Sequence, residues 1–460
     1  METVDIQKTG KLPSNISDAP TDSTPTALQL GPVIERPLAE LTPWPKNPRK
    51  HSDKQIAMIM ASIHQFGFLI AVLIDEFGVI LCGHARVLAA KALGLLTVPV
   101  RVISGMTESQ KRAFVITDNK SVLLASWDEA LLKEELAVLI EVDYNVEVTG
   151  FSTAEIDIMF DASAGQPQAD PGDLQPEDVI AEVVSRPGDL WGLAKHYMYC
   201  GDALHAKSYQ VVMLGELAQM AITDPPYNVK ISGHVCAGGK HDEFPMASGE
   251  MSSPVFTTFL GQAMFHIHAL SQNGAINFFC MDWRHIRELL DAAQPLYGAP
   301  RQMCVWVKDN GGMGTFYRSQ HELVFAFKKG DAKHINNFEL GQHGRYRTNV
   351  WNYPGVNTFT GKGYELLAMH PTVKPVSLIA DAMRDCSHRK GIILDPFAGS
   401  GTVLIAAERT GRYARAIELD PKYVDVAVMR WQRVTGQQAV LVSTGQTWEQ
   451  VRQARLSTNL

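Results

Sequence analysis

The sequence has few cysteines, no long apolar run and no excess of positive charge, and each shortage excludes a class of protein. No run of about 18 apolar residues is present, which excludes a helical membrane span. The net charge of −7 argues against a protein that coats DNA through bulk charge, although an enzyme needs only a local basic patch. No CxxC pair occurs, so we expect neither a zinc site nor a disulfide framework. We expect no metal site, and reduced thiols at Cys82, Cys200, Cys236, Cys280, Cys304 and Cys386.

The length of 460 residues and the ordinary composition, 45% hydrophobic and 20% charged, predict two folded units. The polar N-terminus lacks the apolar core of a secretory signal, so we expect a cytoplasmic protein. Composition shifts predict a disordered leader at 1–32, a mixed domain at 33–160, a Pro- and Gly-rich linker at 161–182, an α/β domain at 183–440 and a polar tail at 441–460.

The first chemical motif is Asp224-Pro225-Pro226-Tyr227, which follows the apolar run 220–223. It should therefore lie at the carboxyl end of a strand, where open α/β sheets bind ligands. A carboxylate and a prolyl carbonyl can accept the two hydrogens of an exocyclic base amine and so make its nitrogen more nucleophilic. The Tyr227 ring offers a flat face to a base that has left the double helix.

The second motif is a strand, 392–395, that breaks into a glycine-rich turn and a helix. Gly399 and Gly401 allow the backbone to approach a ligand closely, and a helix N-terminus favours a carboxylate. Glu418 ends the next strand about 20 positions later, the spacing at which nucleotide folds hold ribose hydroxyls. The candidate cofactor residues here are Asp395, Pro396, Phe397, Gly399, Ser400, Gly401, Thr402, Glu418 and Asp420.

These two motifs, with His-Pro-Thr-Val-Lys-Pro at 370–375 between them, resemble the amino-methyltransferases that modify adenine or cytosine in DNA, in the motif order of their beta class. The resemblance covers about residues 187–435. It implies a Rossmann-like, circularly permuted α/β fold with a mostly parallel seven-stranded sheet, and S-adenosylmethionine as cofactor. It further implies that Asp202 binds the cofactor adenine, that Thr372 and Lys374 lie by its methionine carboxylate, and that double-stranded DNA is the partner.

The resemblance also implies which residues surround the target base. The stretch from Trp306-Val307-Lys308 to Glu322 matches the motif beside that base, and the segment 328–369 would read the DNA sequence. Asp at the start of the catalytic motif favours adenine N6, and cytosine N4 stays the alternative. The basic residues of the reading segment contact either base edges or only phosphates. The candidate DNA residues are Tyr317, Arg318, Ser319, His321, Lys328, Lys329, Arg345 and Arg347.

The first domain contains a glycine turn that opens a helix, Gly83-His84-Ala85-Arg86. Such a turn can hold a phosphate, and it can equally be an ordinary helix start. Over about residues 33–125 the domain resembles the N-terminal domain of the ParB and sulfiredoxin superfamily. That resemblance implies a nucleotide or a DNA-facing accessory role, so a ParB-like nucleotide- or DNA-binding switch is the rival to an enzyme. Homodimer formation and the presence of a restriction partner stay open.

Overall fold

The computed structural model describes residues 28–160, 183–229, 247–309, 311, 316–338, 347–355 and 374–457. The chain divides into two compact units, Met1–Phe151 and Ser152–Leu460. No described helix has both the length and the apolar character that a membrane span requires. The predicted linker, Cys236, Arg345 and Thr372 lie outside the described residues.

The N-terminal unit is a four-stranded sheet with helices, the α+β domain expected from the sequence. Its strands lie in the order β1-β4-β2-β3. The strand β1 begins at Gln29, so it crosses the predicted boundary between the leader, 1–32, and the domain that follows. A small apolar core that includes Leu38, Val72, Ile74 and Val100 holds the sheet together. The strands are β1 Gln29–Pro37, β2 Val72–Asp75, β3 Ile80–Cys82 and β4 Thr97–Ser104, and the helices are α1 Asp53–Phe66, α2 His84–Ala92, α3 Glu108–Ser121 and α4 Glu129–Glu141.

The next helix, α5 (Thr153–Phe160), belongs to the second unit, although the sequence places it with the first domain. Its Asp157 carboxylate, 2% exposed, accepts hydrogen bonds from the fully buried Arg412 and from Arg389. The reason is electrostatic, since a buried carboxylate is stable only beside a cation.

A mixed sheet forms the centre of the second unit, in the order β11-β9-β10-β8-β7-β12-β13-β6-β5-β14. Neighbouring strands from β8 to β6 are all parallel, and β10 is antiparallel to both of its neighbours. The strands are β5 Leu190–Leu193, β6 His196–Cys200, β7 Ala218–Thr223, β8 Ser271–Met281, β9 Gln302–Val307, β10 His321–Lys328, β11 Val350–Asn352, β12 Ile392–Asp395, β13 Tyr413–Glu418 and β14 Val440–Leu441.

The predicted fold class is confirmed. Seven strands, from β9 to β6 in the sheet order, form the mostly parallel sheet, and the short β11, β5 and β14 extend it at its edges. The strand β12 comes late in the chain yet lies between β7 and β13, which is the arrangement that a permuted motif order requires.

Helices cover both faces of this sheet. One face packs against α6 Ala206–Met213, α7 Ser253–Leu270 and α8 Ile286–Tyr297, and the other against α9 Val376–Cys386, α10 Thr402–Thr410, α11 Pro421–Thr435 and α12 Trp448–Ser457. Side chains alternate between the faces, since Met220 and Ile222 of β7 face α9 while Ala221 faces the other side. The range expected as a polar tail contains α12, whose Trp448 is buried and donates to Asp425 at 3.0 Å.

Candidate active site

Four acidic residues follow one another along one edge of the large sheet. Asp224 comes directly after β7, Asp395 and Glu418 end β12 and β13, and Asp202 lies two residues after β6. Because these four strands are parallel neighbours, their carboxyl ends lie at the same edge. The edge therefore collects negative charge where a cation or a set of hydroxyl donors can bind.

A hydrogen bond joins the two motifs that the sequence separates. The Thr223 hydroxyl donates to Asp395 Oδ1 at 2.7 Å, and both side chains are buried. The pairing of Ile393 with Met220 places the ends of β12 and β7 side by side. The catalytic and cofactor motifs of the sequence are thus neighbours in space.

A compact network of charged groups surrounds Asp224. Lys374 Nζ lies 2.6 Å from Asp224 Oδ2 and 2.8 Å from Glu322 Oε2. The Tyr227 hydroxyl donates to Asp224 Oδ1 and lies 3.2 Å from Glu322 Oε2. On the far side of Glu322, Lys308 Nζ lies 2.5 Å from Oε1. The cluster pairs two carboxylates with two ammonium groups.

The pKa values in the cluster follow from burial and pairing. Burial raises the pKa of Asp224. Burial also acts to raise the pKa of Glu322, but Lys374 and Lys308 outweigh it and lower that pKa to about 2. Burial acts to lower the pKa of Lys374, and the two carboxylates outweigh it and raise that pKa. Glu322 and Lys374 are therefore charged at neutral pH.

The resemblance implies that Lys374 lies by the methionine carboxylate of the cofactor, whereas in the structure its ammonium lies between Asp224 and Glu322. Glu322 and Lys308 belong to the motif matched beside the target base, but neither was named among the candidate site residues. The only sequence signal for them is their place at the two ends of the motif matched beside the target base.

The backbone after Asp224 is held in place by its own residues. Pro225 is buried and Pro226 is partly buried. Asn228, at φ 55°, accepts hydrogen bonds from the backbone amides of Gly249 and Met251 at 3.0 and 3.1 Å. These bonds fix the end of the motif to the segment that precedes α7.

The glycine-rich turn depends on a close approach at Gly401. This residue has φ 79° and precedes α10, and a Cβ atom there would lie 2.6 Å from Ala427 Cβ. The turn is tied to β13, because Glu418 Oε2 accepts from the Gly399 amide at 2.9 Å and Oε1 accepts from the Asp420 amide at 2.9 Å. The carboxylate of Glu418 therefore lies directly beside the turn.

Two hydroxyls of this turn point inward. Arg430, which is buried, donates to Ser400 Oγ at 3.2 Å and to Thr402 Oγ1 at 3.1 Å. Ser400 and Thr402 are predicted cofactor contacts, and in the structure their hydroxyls bind this guanidinium. Their structural effect is to fasten the turn to α11.

Burial raises the pKa of Asp395 and that of Glu418 to about 7, because each carboxylate loses its hydration at the strand ends. Asp395 Oδ1 accepts from the Phe397 amide at 3.1 Å, and Pro396 is buried between them. The Phe397 ring packs on Phe259, 5.9 Å between centroids.

The remaining acids have local hydrogen-bond roles as well. Asp420 caps α11 by accepting from the Lys422 amide at 2.9 Å. Asp202 Oδ1 accepts from the Leu204 amide at 2.8 Å, and its side chain is 22% exposed. That exposure leaves Asp202 room for a further donor.

Several of the predicted DNA residues lie at the same edge as Asp224. The start of β10 pairs with the end of β8, which is parallel to β7, so His321 lies at this edge. Tyr317 is 87% exposed, Arg318 donates to the Gly311 carbonyl at 2.6 Å, and the Ser319 hydroxyl lies 3.3 Å from the His321 carbonyl.

Other predicted DNA residues lie elsewhere. Lys328 ends β10 and Lys329 comes directly after it, so both lie at the opposite edge of the sheet. At 3.4 Å per residue along the strand, Lys328 is about 20 Å from Glu322. Lys329 Nζ donates to the Ser271 carbonyl at 2.6 Å. Arg347 pairs with Asp381 and Asp385 at 3.2 and 3.1 Å. The side chains of Lys329 and Arg347 thus have structural partners.

The predicted phosphate turn in the N-terminal unit has the expected backbone. Gly83 has φ 101° and precedes α2. Arg86 donates to the carbonyls of Ile70 and Ala71 at 2.7 and 3.1 Å, and His84 Nε2 accepts from the Trp44 amide at 3.1 Å. Burial, followed by the charge of His51, lowers the pKa of His84, so this ring favours the neutral form.

Within the described part of the chain, no group of three or more histidine, cysteine or acidic side chains has the geometry of a metal site. The described cysteines are free thiols.

Residues 218–429 match the N6/N4 methylase family, described as DNA methylase. Residues 23–120 match the ParB N-terminal domain, and residues 130–187 match the ParB-methyltransferase HTH domain. The HTH domain was not anticipated from the sequence.

The chain is also similar to individual proteins. It is 50% identical to the ParB-like nuclease domain-containing protein YnaK of Escherichia coli K12 over 80 residues, 17% of this chain and 92% of YnaK. It is 37% identical to the type II methyltransferase M.ScaI of Streptomyces caespitosus over 87 residues, 19% of this chain and 29% of M.ScaI. Among solved structures, the M1.HpyAVI–SAM complex superposes with a TM-score of 0.36 and 18% identity, covering 51% of this chain and 97% of that one.

Proposed function

We propose that this chain methylates the exocyclic amine of a base in double-stranded DNA, with S-adenosylmethionine as donor, because residues 218–429 match the N6/N4 DNA methylase family and residues 23–120 match the ParB N-terminal domain. We propose adenine N6 as the acceptor, since the motif begins with Asp224. The observation that carries the proposal is the hydrogen bond of 2.7 Å between Thr223 and Asp395, which brings the two motifs to one sheet edge.

The acceptor half of the site suits a weak nucleophile. The lone pair of an exocyclic amine is delocalised into the ring, and acceptors for its hydrogens return electron density to nitrogen. The Asp224 carboxylate and the Pro225 carbonyl are such acceptors. The Tyr227 hydroxyl is fixed by Asp224, so the ring that would face a flipped base has a set orientation.

The donor half suits a cationic nucleoside. When bound, S-adenosylmethionine supplies a methyl group already activated on a sulfonium. We propose that Glu418 accepts from its ribose hydroxyls and that Asp202 accepts from its adenine amine, since each carboxylate ends or follows a strand at this edge. The row of acids favours a cation, and Gly399 leaves room for a close approach, while Gly401 lets the turn pack on Ala427. The residues present fit the group.

The direct test is transfer of a labelled methyl group into DNA by the full chain. We expect Asp224→Ala and Tyr227→Ala to abolish transfer while leaving cofactor binding, measured by titration, largely intact. Asp291→Ala, which changes a 61% exposed carboxylate on α8, is the control. Wild-type protein that binds the cofactor yet labels only RNA, protein or small molecules would refute DNA as the substrate.

The acceptor base is tested separately. Sequencing that detects modified bases, applied to DNA from cells that express the chain, reports base and recognition sequence together. N6-methyladenine in this DNA supports adenine as the acceptor. N4-methylcytosine would show that cytosine is the acceptor and would leave the proposed methyl transfer to DNA unchanged.

For the N-terminal unit we propose nucleotide binding at the turn from Gly83 to Arg86, because a left-handed glycine there precedes a helix N-terminus. Titration of the full chain with CTP and other nucleotides, wild type against Arg86→Ala, tests it. If no nucleotide binds the wild type, nucleotide binding is refuted, and an accessory role of this unit in contacting DNA replaces it.

A further inference from the structure

The catalytic carboxylate is already occupied on both oxygens. Lys374 Nζ lies 2.6 Å from Asp224 Oδ2, and the Tyr227 hydroxyl donates to Oδ1. An amine that donates to Asp224 must therefore share or displace one of these two donors.

Displacing the ammonium needs a second anion. Lys374 is 5% exposed, and a buried cation that loses its counter-charge is strongly unfavourable. Glu322 Oε2 lies 2.8 Å from Lys374 Nζ and 3.2 Å from the Tyr227 hydroxyl, so it can hold both donors with small shifts. Its other oxygen is held by Lys308.

We propose that Glu322 is a positioning residue that holds Lys374 and the Tyr227 hydroxyl while the incoming amine takes over Asp224. This inference rests on the proposed function and deepens it. Lys308 completes the arrangement, because it keeps Glu322 in place and offsets its charge. In this role Glu322 itself makes no contact with the base or the methyl group.

The charge count explains why the carboxylate matters. Asp224 and Glu322 balance Lys374 and Lys308. With glutamine at position 322, Lys374 keeps a single anionic partner, Asp224, and binds it more firmly. The amine of the base then competes for Asp224 with an ammonium that has no other anionic partner.

The first experiment is steady-state methylation by Glu322→Gln in the full chain. We expect kcat/KM for DNA to fall about 100-fold, as for a reacting group displaced by about an ångström, while cofactor affinity stays within about twofold. Glu449→Gln, which neutralises a 48% exposed carboxylate paired with the 44% exposed Arg452, is the matched control. A Glu322→Gln enzyme within about threefold of wild type overturns the inference.

A double-mutant cycle asks whether Glu322 acts through Lys374. In a Lys374→Met background, Glu322→Gln should cost little further activity, because no ammonium remains to be moved. An undiminished loss in that background overturns the inference. Wild-type protein that labels no DNA fails the proposed function instead, so the two failures are distinguishable.

The second experiment uses binding and separates positioning from folding. A duplex with the methylated sequence is compared with one whose target base lacks the exocyclic amine. Glu322→Gln should weaken binding of the amine-bearing duplex alone, and equal weakening of both overturns the inference. If Glu322→Gln fails to fold, Glu322→Asp replaces it in both experiments, with smaller losses in the same pattern supporting the inference and wild-type behaviour overturning it.

Discussion

Breaking the ion pair between Asp157 and Arg412 by removing one partner should destabilise the second unit. Arg412 is 0% exposed and Asp157 is 2% exposed, and their closest nitrogen–oxygen distance is 2.8 Å. Removing one partner of such a pair leaves the other charge buried without compensation, which typically costs about 3–5 kcal/mol.

The structure places Asp157→Ala near the lower end of that range. Arg412 would keep neutral acceptors, the carbonyls of Thr410 and Ser387 at 2.6 and 2.8 Å. Arg389 would lose a partner too, but it is 16% exposed and can be hydrated. We therefore expect a loss of about 3 kcal/mol, which at roughly 2 °C per kcal/mol lowers the unfolding temperature by about 6 °C.

Tryptophan fluorescence is a suitable assay, because six of the eight tryptophans, all except Trp44 and Trp127, lie in the second unit. The control is Glu449→Ala, which removes a pair whose side chains are 44% and 48% exposed and should cost about 0.5 kcal/mol or less. Arg412 precedes β13 at the end away from Glu418, so methylation below the unfolding temperature should be retained. If Asp157→Ala unfolds at the same temperature as Glu449→Ala, the predicted cost of breaking the buried ion pair is refuted.

Three further predictions concern the cofactor side. Gly401→Ala should lower cofactor affinity more than tenfold, because the added Cβ would meet Ala427. The control is Gly436→Ala, which has a similar φ of 72° but nothing within 4 Å of the added Cβ and should cost only about 1 kcal/mol of stability. Equal losses of cofactor affinity in the two variants would contradict this. Cofactor affinity should rise about tenfold per carboxylate between pH 6 and 8, since Asp395 and Glu418 ionise near pH 7 and the ligand is a cation; Glu418→Gln should flatten this pH profile. Because the pKa values are raised in the folded state, the same ionisation lowers the stability of the protein as the pH rises towards 7, so the unfolding temperature is measured over the same pH range. A cofactor affinity that does not change with pH would disprove the assignment. Arg430→Met should weaken cofactor binding by releasing Ser400 and Thr402, and unchanged affinity in a folded variant would show that the turn does not depend on it.

Local motifs predicted that Asp224 and the glycine-rich turn would each lie at the end of a strand, because each motif is contained in a few consecutive residues. Asp224 and Glu418 each follow an apolar strand, and parallel strands bring such ends to one edge whatever their order in the chain. The fold class followed from the same alternation of strands and helices.

Contacts between distant residues could not be predicted in this way. Glu322 lies 98 residues after Asp224 in the chain, and no local pattern states that their side chains share Lys374. The side-chain directions of Ser400 and Thr402 were equally hidden, because the buried Arg430 that holds them comes from α11. The packing of α5 depends on Arg412, which is 255 residues from Asp157.

The direction of β10 decides which part of the predicted reading segment lies near Asp224. This strand is antiparallel to β8, so the chain leaves the edge that carries Glu322 and reaches the opposite edge at Lys328. It returns through β11, which is parallel to β9, and the Gly355 amide then donates to Asp309 at 2.9 Å, beyond the end of β9. Among the described residues of the segment, those at the edge that carries Asp224 are therefore the ones around Tyr353 and Gly355. The basic beginning at Lys328 and Lys329 is separated from Asp224 by the length of a strand.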